Sequence, residues 1–172
     1  TGAGHEMGPG HKRRTKRNPG AGENAADPSP RRSVQMAWKH HKAGRFDDAR
    51  AIYERVLEQA PRDGHCLHLL GILHYETGRP DLALEFMVRS VAEVPPSPVL
   101  QTYLGEIYRA LGRYDEAIEA CRRALDLMAV RPDALNTLGA SLTAQGKISE
   151  AIETLEETQD TFVIFLGAIA GI

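Results

Sequence analysis

Histidine and cysteine side chains are the best candidates for chemistry in this chain, because their spacing could suit a metal ion. His65, Cys66 and His68 lie within four residues. Three further histidines could lie near them in the fold: His40, His41 and His74. Zinc prefers a fixed set of four ligands, however, and the sequence contains neither a Cys-x-x-Cys nor a His-Glu-x-x-His motif. On a helix, Cys66 would also point away from both flanking histidines. We therefore predict neither a metal site nor any other cofactor.

Catalytic arrangements of other kinds are missing as well. The sequence has no nucleophile elbow, no phosphate-binding glycine loop between a strand and a helix, and no carboxylate pair with suitable partners. Cys121 is interpreted as a small buried apolar residue rather than a reactive thiol. Two cysteines are too few for a disulfide framework, which excludes a small secreted cystine scaffold. The sequence therefore predicts a protein that is not an enzyme.

Composition and charge indicate a globular chain with an unusual first segment. The 172 residues suit one domain or a short repeat array, and 21 basic against 23 acidic side chains leave no excess for binding a polyanion. Residues 1–32 nevertheless hold seven Lys or Arg against three acids. No apolar run approaches the roughly 20 residues of a transmembrane helix, and no signal peptide is visible. We expect a cytoplasmic location without membrane insertion.

Residues 1–29 are predicted to be a disordered basic tail. They contain six glycines, three prolines and the basic run at 12–17, with almost no aromatic or β-branched residues. Such a segment buries too little apolar surface to offset the entropy of ordering. The basic run could act as a nuclear-import or nucleic-acid segment. A solvated linker is the better interpretation, because no aromatic residue is interleaved for base stacking, and no specific nucleic acid is expected.

A period of 34 residues organises the rest of the chain. It relates three sets of residues: Gly44, Gly78, Gly112 and Gly146; Ala49, Ala83, Ala117 and Ala151; and the pairs Met36-Ala37, Leu70-Gly71, Leu104-Gly105 and Leu138-Gly139. In each unit, an amphipathic run ends at the glycine, acids follow at once, and a second amphipathic run comes after them. Glycine suits the left-handed residue that ends a helix, and acids suit the first turn of the next. Pro61, Pro95 and, later in its unit, Pro132 are predicted to stop the second helices. Each unit is therefore predicted to be two antiparallel helices with small residues at their contact.

These residues resemble the tetratricopeptide repeat family. The third unit matches its pattern through Leu104-Gly105, Tyr108, Gly112, Tyr114, Ala117 and Ala124. The resemblance covers residues 30–160, in units of about 30–63, 64–97, 98–131 and 132–160, and the fourth unit loses the pattern after about Glu157. It extends to bacterial tetratricopeptide repeat proteins and to the repeat region of O-linked N-acetylglucosamine transferase-like proteins. The family implies an all-α fold, in which helical hairpins stack into an open right-handed superhelical solenoid.

The resemblance also implies that the first helix of each unit lines a concave groove for a peptide or partner protein. The predicted contact residues are Trp38, His41, Lys42, His65, His68, Ile72, Tyr75, Glu76, Thr102, Glu106, Arg109 and Asn136, accompanied by Val34, Ala110, Ala140 and Thr143. Trp38 is the only tryptophan, and it either anchors a partner or packs against the tail or the outer edge of the first unit. His40 and His74 are expected at half-buried repeat positions, with the other histidines facing the groove, where mild acid could tune binding.

Two specialised family grooves are not reproduced. The carboxylate clamp of the chaperone-tail binders requires Lys, Asn and Arg at positions that here hold Val34, Trp38, Leu69, Val99 and Tyr103. The asparagine ladder of the transferase is replaced by Gln35, Leu69, Tyr103 and Thr137, and Asn136 lies one residue away from it. The resemblance therefore does not identify the partner.

The apolar end of the chain, residues 161–172, has three interpretations. It could fold back as a cap on the fourth unit, begin a truncated membrane span, or reflect an artificial boundary. Capping or truncation is favoured, because eleven apolar residues are too few to cross a bilayer.

For the whole chain we predict a non-catalytic protein–protein interaction scaffold. The alternative is the substrate-recruiting arm of a larger glycosyltransferase or sulfotransferase, which the first residue, Thr1, would suit. Homo-oligomers formed through exposed repeat ends are a third interpretation.

Overall fold

The computed structural model describes Thr1 and residues 29–129, 131–154 and 156. Residues 2–28 of the predicted tail and the whole apolar end, residues 161–172, therefore lie outside the described residues. Seven complete helices are present in this part of the chain: α1 Pro30–Lys42, α2 Phe46–Gln59, α3 Gly64–Glu76, α4 Pro80–Glu93, α5 Pro98–Ala110, α6 Tyr114–Leu127 and α7 Pro132–Ala144. An eighth helix, α8, begins at residue 148 and is described through 154 and at 156.

The helices form hairpins that stack in chain order. The first helices α1, α3 and α5 each pack on the second helix of their own unit and also contact the first helix of the next unit, which places α1, α3, α5 and α7 side by side. Each described second helix packs in turn on the first helix of the following unit. The predicted all-α solenoid is confirmed.

The turn inside each hairpin depends on a glycine in the left-handed region. Gly44, Gly78, Gly112 and Gly146 have φ values of 73°, 73°, 72° and 76°. At the first turn, the amide of Gly44 donates to the carbonyl of His41, and the amide of Arg45 donates to that of His40. Nothing else crowds these glycines, so the backbone conformation alone demands them. The predicted role of this glycine column is confirmed.

Close contact between paired helices depends on a different glycine column. A Cβ atom at Gly71 would lie 3.0 Å from the Cγ atom of Met87, and one at Gly105 would lie 2.5 Å from the Sγ atom of Cys121. Cys121 is fully buried, as predicted, and so is Tyr53 in the first hairpin. At these two positions, a glycine on one helix thus makes room for the side chain of Met87 or Cys121 on its partner.

The prediction for Pro132 was wrong. α6 ends at Leu127 without a proline, and its length of 14 residues equals that of α2 and α4. Pro132 instead occupies the first turn of α7, as Pro98 does in α5. The first turn suits proline because the amide hydrogen that proline lacks has no partner inside the helix there.

Candidate partner-binding groove

An open cavity of about 670 Å³ lies between α1 and α3, at the N-terminal end of the row of first helices. It is lined by Arg31, Val34, Gln35, Trp38, Asp63, His65 and Leu69, and we call it the Trp38 cavity. Val34 and Leu69 are buried and apolar, whereas the Trp38 side chain remains 38% exposed. Arg31 and His65 are exposed, and Asp63 is half-buried. The cavity therefore combines an apolar floor with charged or ionisable side chains around it.

Contacts with the core hold Trp38 in place. Its ring lies edge-on to the imidazole of His41, with 5.1 Å between ring centroids. The Nε2 atom of His41 lies 2.9 Å from a carboxylate oxygen of Glu76, which joins α1 to α3. On the other side, the ring of His41 meets Phe46 and Tyr53 edge-on. The indole is thus supported by a side-chain network that spans two repeats.

The opposite side of the cavity is fixed by the beginning of α3. Asp63 is the N-cap of this helix, and its carboxylate accepts a hydrogen bond of 2.9 Å from the amide of Cys66. Capping satisfies an amide that has no partner inside the helix, so Asp63 is held in one orientation. This hydrogen bond therefore fixes the position of Asp63 beside the cavity.

Tyr103 of α5 lies within electrostatic reach of acidic side chains from three repeats. Burial raises the pKa of Glu106, and the nearby Asp133 raises it further. Burial also raises the pKa of Tyr103, to which Glu76, Glu106 and Asp133 add. Arg131 lies 2.6 Å from Asp133 and offsets part of this negative charge. The second half of the groove therefore carries acidic and aromatic side chains.

Three of the predicted contact residues have buried side chains, which corrects the prediction for them. His41 is held in the network described above, and Ile72 lies in the core. The hydroxyl of Thr102 donates to the carbonyl of Pro98 one turn earlier and does not face a partner. Neighbouring groups cover all three side chains in this array.

Most of the other predicted residues remain accessible. Lys42, His65, Glu76, Arg109 and Asn136 are exposed, and three are half-buried: His68, Tyr75 and Glu106. Their part in binding stays a prediction.

The histidines differ in burial, and burial decides which of them can take up a proton in mild acid. Burial lowers the pKa of His68 to about 4, with a smaller contribution from His65, and the His68 ring lies edge-on to Tyr103. His68 is therefore neutral in mild acid and cannot tune binding there, contrary to the expectation for histidines in the groove. His40 is half-buried as predicted, whereas His74 is fully buried against Phe86.

Other features of the described residues bear on chemistry. Burial raises the pKa of the Cys66 and Cys121 thiols to about 12, so neither is a thiolate near neutral pH. Within residues 29–129, 131–154 and 156, no group of three or more His, Cys, Asp or Glu side chains is placed to hold a metal ion. No helix in that part of the chain is long and apolar enough to cross a membrane.

Sequence reasoning missed four residues of the Trp38 cavity: Arg31, Gln35, Asp63 and Leu69. The period offered a signal for one of them, because Arg31 stands 34 residues before His65, which was predicted. Asp63 precedes its helix, and Gln35 and Leu69 were considered only as positions where the family's asparagine ladder is missing. Only the packing of α1 against α3 brings these three residues to the cavity.

The comparisons with known proteins agree with this architecture. Two family profiles described as tetratricopeptide repeat match residues 40–107 and 98–162. No curated protein sequence matches the chain significantly.

Several solved structures are similar to the chain. A crystal structure of MamA protein is 29% identical, with a TM-score of 0.70, and the match covers 75% of this chain and 70% of that one. A second crystal structure of MamA is 30% identical, with a TM-score of 0.68, and covers 72% of each chain. MamA 41-end from Desulfovibrio magneticus RS-1 has a TM-score of 0.72 at 21% identity, covers 76% of this chain and 74% of that one, and shows the fold alone. The periodic residues, the stacked hairpins and the two matching profiles together place this chain in the tetratricopeptide repeat family.

Proposed function

We propose that this chain is a non-catalytic protein–protein interaction scaffold that binds an extended segment of a partner protein in its concave groove. The observation that carries the proposal is the Trp38 cavity, where an exposed indole stands beside the buried side chains of Val34 and Leu69. A large aromatic ring next to an apolar floor is typical of the few residues that dominate binding energy at interfaces.

The charged side chains beside this floor suit a peptide. Arg31 and Asp63 offer opposite charges at one cavity, so a peptide can pair polar groups with them while an apolar side chain enters between them. An apolar side chain that becomes fully buried contributes roughly 1.5–3 kcal/mol, which is enough to make one anchor decisive for a weak ligand.

The network beneath Trp38 supports the same proposal. The contacts of His41 with Trp38 and Glu76 connect the anchor to the second repeat. A site that is already ordered loses less conformational entropy when its ligand binds. The acidic and tyrosine side chains further along the groove would then contact the rest of the peptide.

The test uses peptides selected from a random library on the immobilised full chain, followed by calorimetric titration of the selected sequences. We expect Trp38→Ala to weaken these peptides at least tenfold, and Trp38→Ala combined with Tyr75→Ala to weaken them further. Val88→Ala is the matched control, because Val88 is an exposed apolar residue that does not line the Trp38 cavity. Circular dichroism should show unchanged helicity in all variants. Equal affinity for the wild type and the Trp38 variant would exclude this groove as the binding site.

A further inference from the structure

A second cavity, of about 280 Å³, lies among α4, α5 and α6 and shares no residue with the Trp38 cavity. We call it the Gln101 cavity. Val88 and Val91 line it from α4, Gln101 and Tyr108 from α5, and Ala120 from α6. Sites for whole small molecules usually measure about 300–1,000 Å³, so this cavity suits a single side chain.

The repeat period shows that the cavity exists because one aromatic ring is missing. Ala120 stands 34 residues after Phe86. In the second repeat, the ring of Phe86 stacks on His74 of α3, and the guanidinium of Arg89 lies 5.5 Å from the ring centroid. In the third repeat, the methyl group of Ala120 takes the place of that ring.

The surroundings of the missing ring are still present in the third repeat. Tyr108 and Arg123 are the counterparts of His74 and Arg89, and both line the Gln101 cavity. Arg123 has no ring beneath it on its own helix and pairs with Glu119. An aromatic ring from outside the chain would meet another aromatic residue and a guanidinium in this cavity.

Gln101 is a second departure from the repeat. Its counterparts, Leu67 and Leu135, are 1% and 5% exposed. Gln101 is only 8% exposed, and its Oε1 atom has no hydrogen-bond partner among the described residues. A buried acceptor without a donor costs free energy, whereas a buried leucine carries no such cost. A hydrogen-bond donor that enters the cavity removes this cost.

The entrance to the cavity is a third departure. Val88 is 50% exposed, whereas its counterparts in the first and third repeats are the charged residues Glu54 and Arg122. Val91 is exposed beside it. An exposed apolar edge is typical of a surface that contacts another protein rather than a free polar metabolite.

We propose that the Gln101 cavity binds one tyrosine side chain, presented by an exposed segment of a partner protein. The tyrosine ring takes the place that Phe86 occupies in the second repeat and lies against Tyr108 and Arg123. Its hydroxyl donates to the Oε1 atom of Gln101, and the apolar entrance contacts the segment that carries the tyrosine. Phenylalanine lacks the donor. This site is separate from the groove and does not depend on the function proposed above.

Methyl NMR of the full chain with labelled valines tests the site. The probes are N-acetyltyrosine methylamide and its match without the hydroxyl, N-acetylphenylalanine methylamide. We expect the tyrosine probe to shift the methyl signals of Val88 and Val91 and to bind about five times more tightly than the phenylalanine probe, because it satisfies the buried acceptor. Val34 reports separately on the Trp38 cavity.

Two variants restore what the other repeats have. Ala120→Phe fills the cavity with a ring of the chain itself and should abolish the shifts of Val88 and Val91. Gln101→Leu should remove the preference for the tyrosine probe without weakening the phenylalanine probe. Trp38→Ala is the control, which should leave the binding of both probes at this site unchanged. Circular dichroism should show equal helicity in all variants.

Each outcome decides the proposal. A preference for the tyrosine probe that both variants remove supports it. Equal binding of the two probes overturns it, and so does the absence of shifts at Val88 and Val91. Tighter binding of free tyrosine than of the blocked probe would indicate a metabolite site and overturn the protein partner. Concentration-dependent shifts of the same valines without probe, with a dimer in sedimentation, would show that a second copy covers the cavity, which also overturns the proposal.

Discussion

Replacement of the buried His74 should remove a specific part of the acid sensitivity of the fold. His74 is buried, and its ring stacks on Phe86, with ring centroids 5.3 Å apart and 12° between the planes. Burial lowers the pKa of His74 from 6.5 to about 4, and the positive charges of Arg79 and Arg50 add to the effect. Between these two pH values, the unfolded chain binds a proton that the folded chain does not accept.

The sign and size of the effect are set by proton linkage. Because the folded pKa is the lower one, stability is lost as the pH falls from about 6.5 towards 4. At pH 5 this single site costs about 2 kcal/mol relative to pH 7 when the two pKa values are 6.5 and about 4. His74→Phe keeps an aromatic ring on Phe86 but has no group that titrates, so its loss of stability between pH 7 and pH 5 should be about 2 kcal/mol smaller.

Urea unfolding followed by circular dichroism at pH 7 and pH 5 measures this difference. All other titratable groups are the same in the two proteins, so their contributions cancel when the two pH dependences are subtracted. His74→Gln serves as a control, because it lacks the aromatic stack as well as the titrating group. It should show the same reduction in pH dependence whatever its stability at pH 7. If His74→Phe loses as much stability as the wild type between the two pH values, the assignment of a buried neutral His74 is refuted.

Three further predictions concern packing, the turn and the thiols. Gly105→Ala should destabilise the fold by about 1–3 kcal/mol, because its Cβ atom would lie 2.5 Å from the Sγ atom of Cys121. The same substitution should cost far less in a Cys121→Ala background. Urea unfolding of the wild type, the two single variants and the double variant measures both costs. Gly112→Ala should cost about 1–2 kcal/mol through the positive φ alone, and an unchanged melting curve would contradict this. The thiols of Cys66 and Cys121 should react with a thiol reagent at pH 8 only as fast as the fold opens, and rapid labelling without denaturant would contradict their burial.

Much of the architecture could be predicted from local rules. Gly44 and its three counterparts indicate the turns, because only glycine adopts positive φ without strain. The acids after those turns, such as Asp47 and Asp48, indicate where the second helices begin. The same rules were wrong for Pro132, because a proline near a boundary suits both the end of one helix and the first turn of the next.

The candidate site was only partly predictable. The sequence identified Trp38 and Val34, which share a helix with the correct period. It did not identify Asp63, and it considered Leu69 only as a position where two specialised family grooves are not reproduced. It also placed Thr102 on the open face, although the structure buries this side chain.

By itself, the sequence determined the repeat length, the all-α class, the turns and the face of each helix that carries small residues. The repeat length and the helix faces depend on the periodic spacing of residue types. The turns depend on backbone preferences, which act over a few residues. The tertiary structure alone decided that His41 is buried against Glu76, that His68 and His74 are held neutral, and that the first two repeats enclose the Trp38 cavity. Exposure and pKa depend on the size and charge of side chains from neighbouring helices, and such contacts exist only after the helices have packed together.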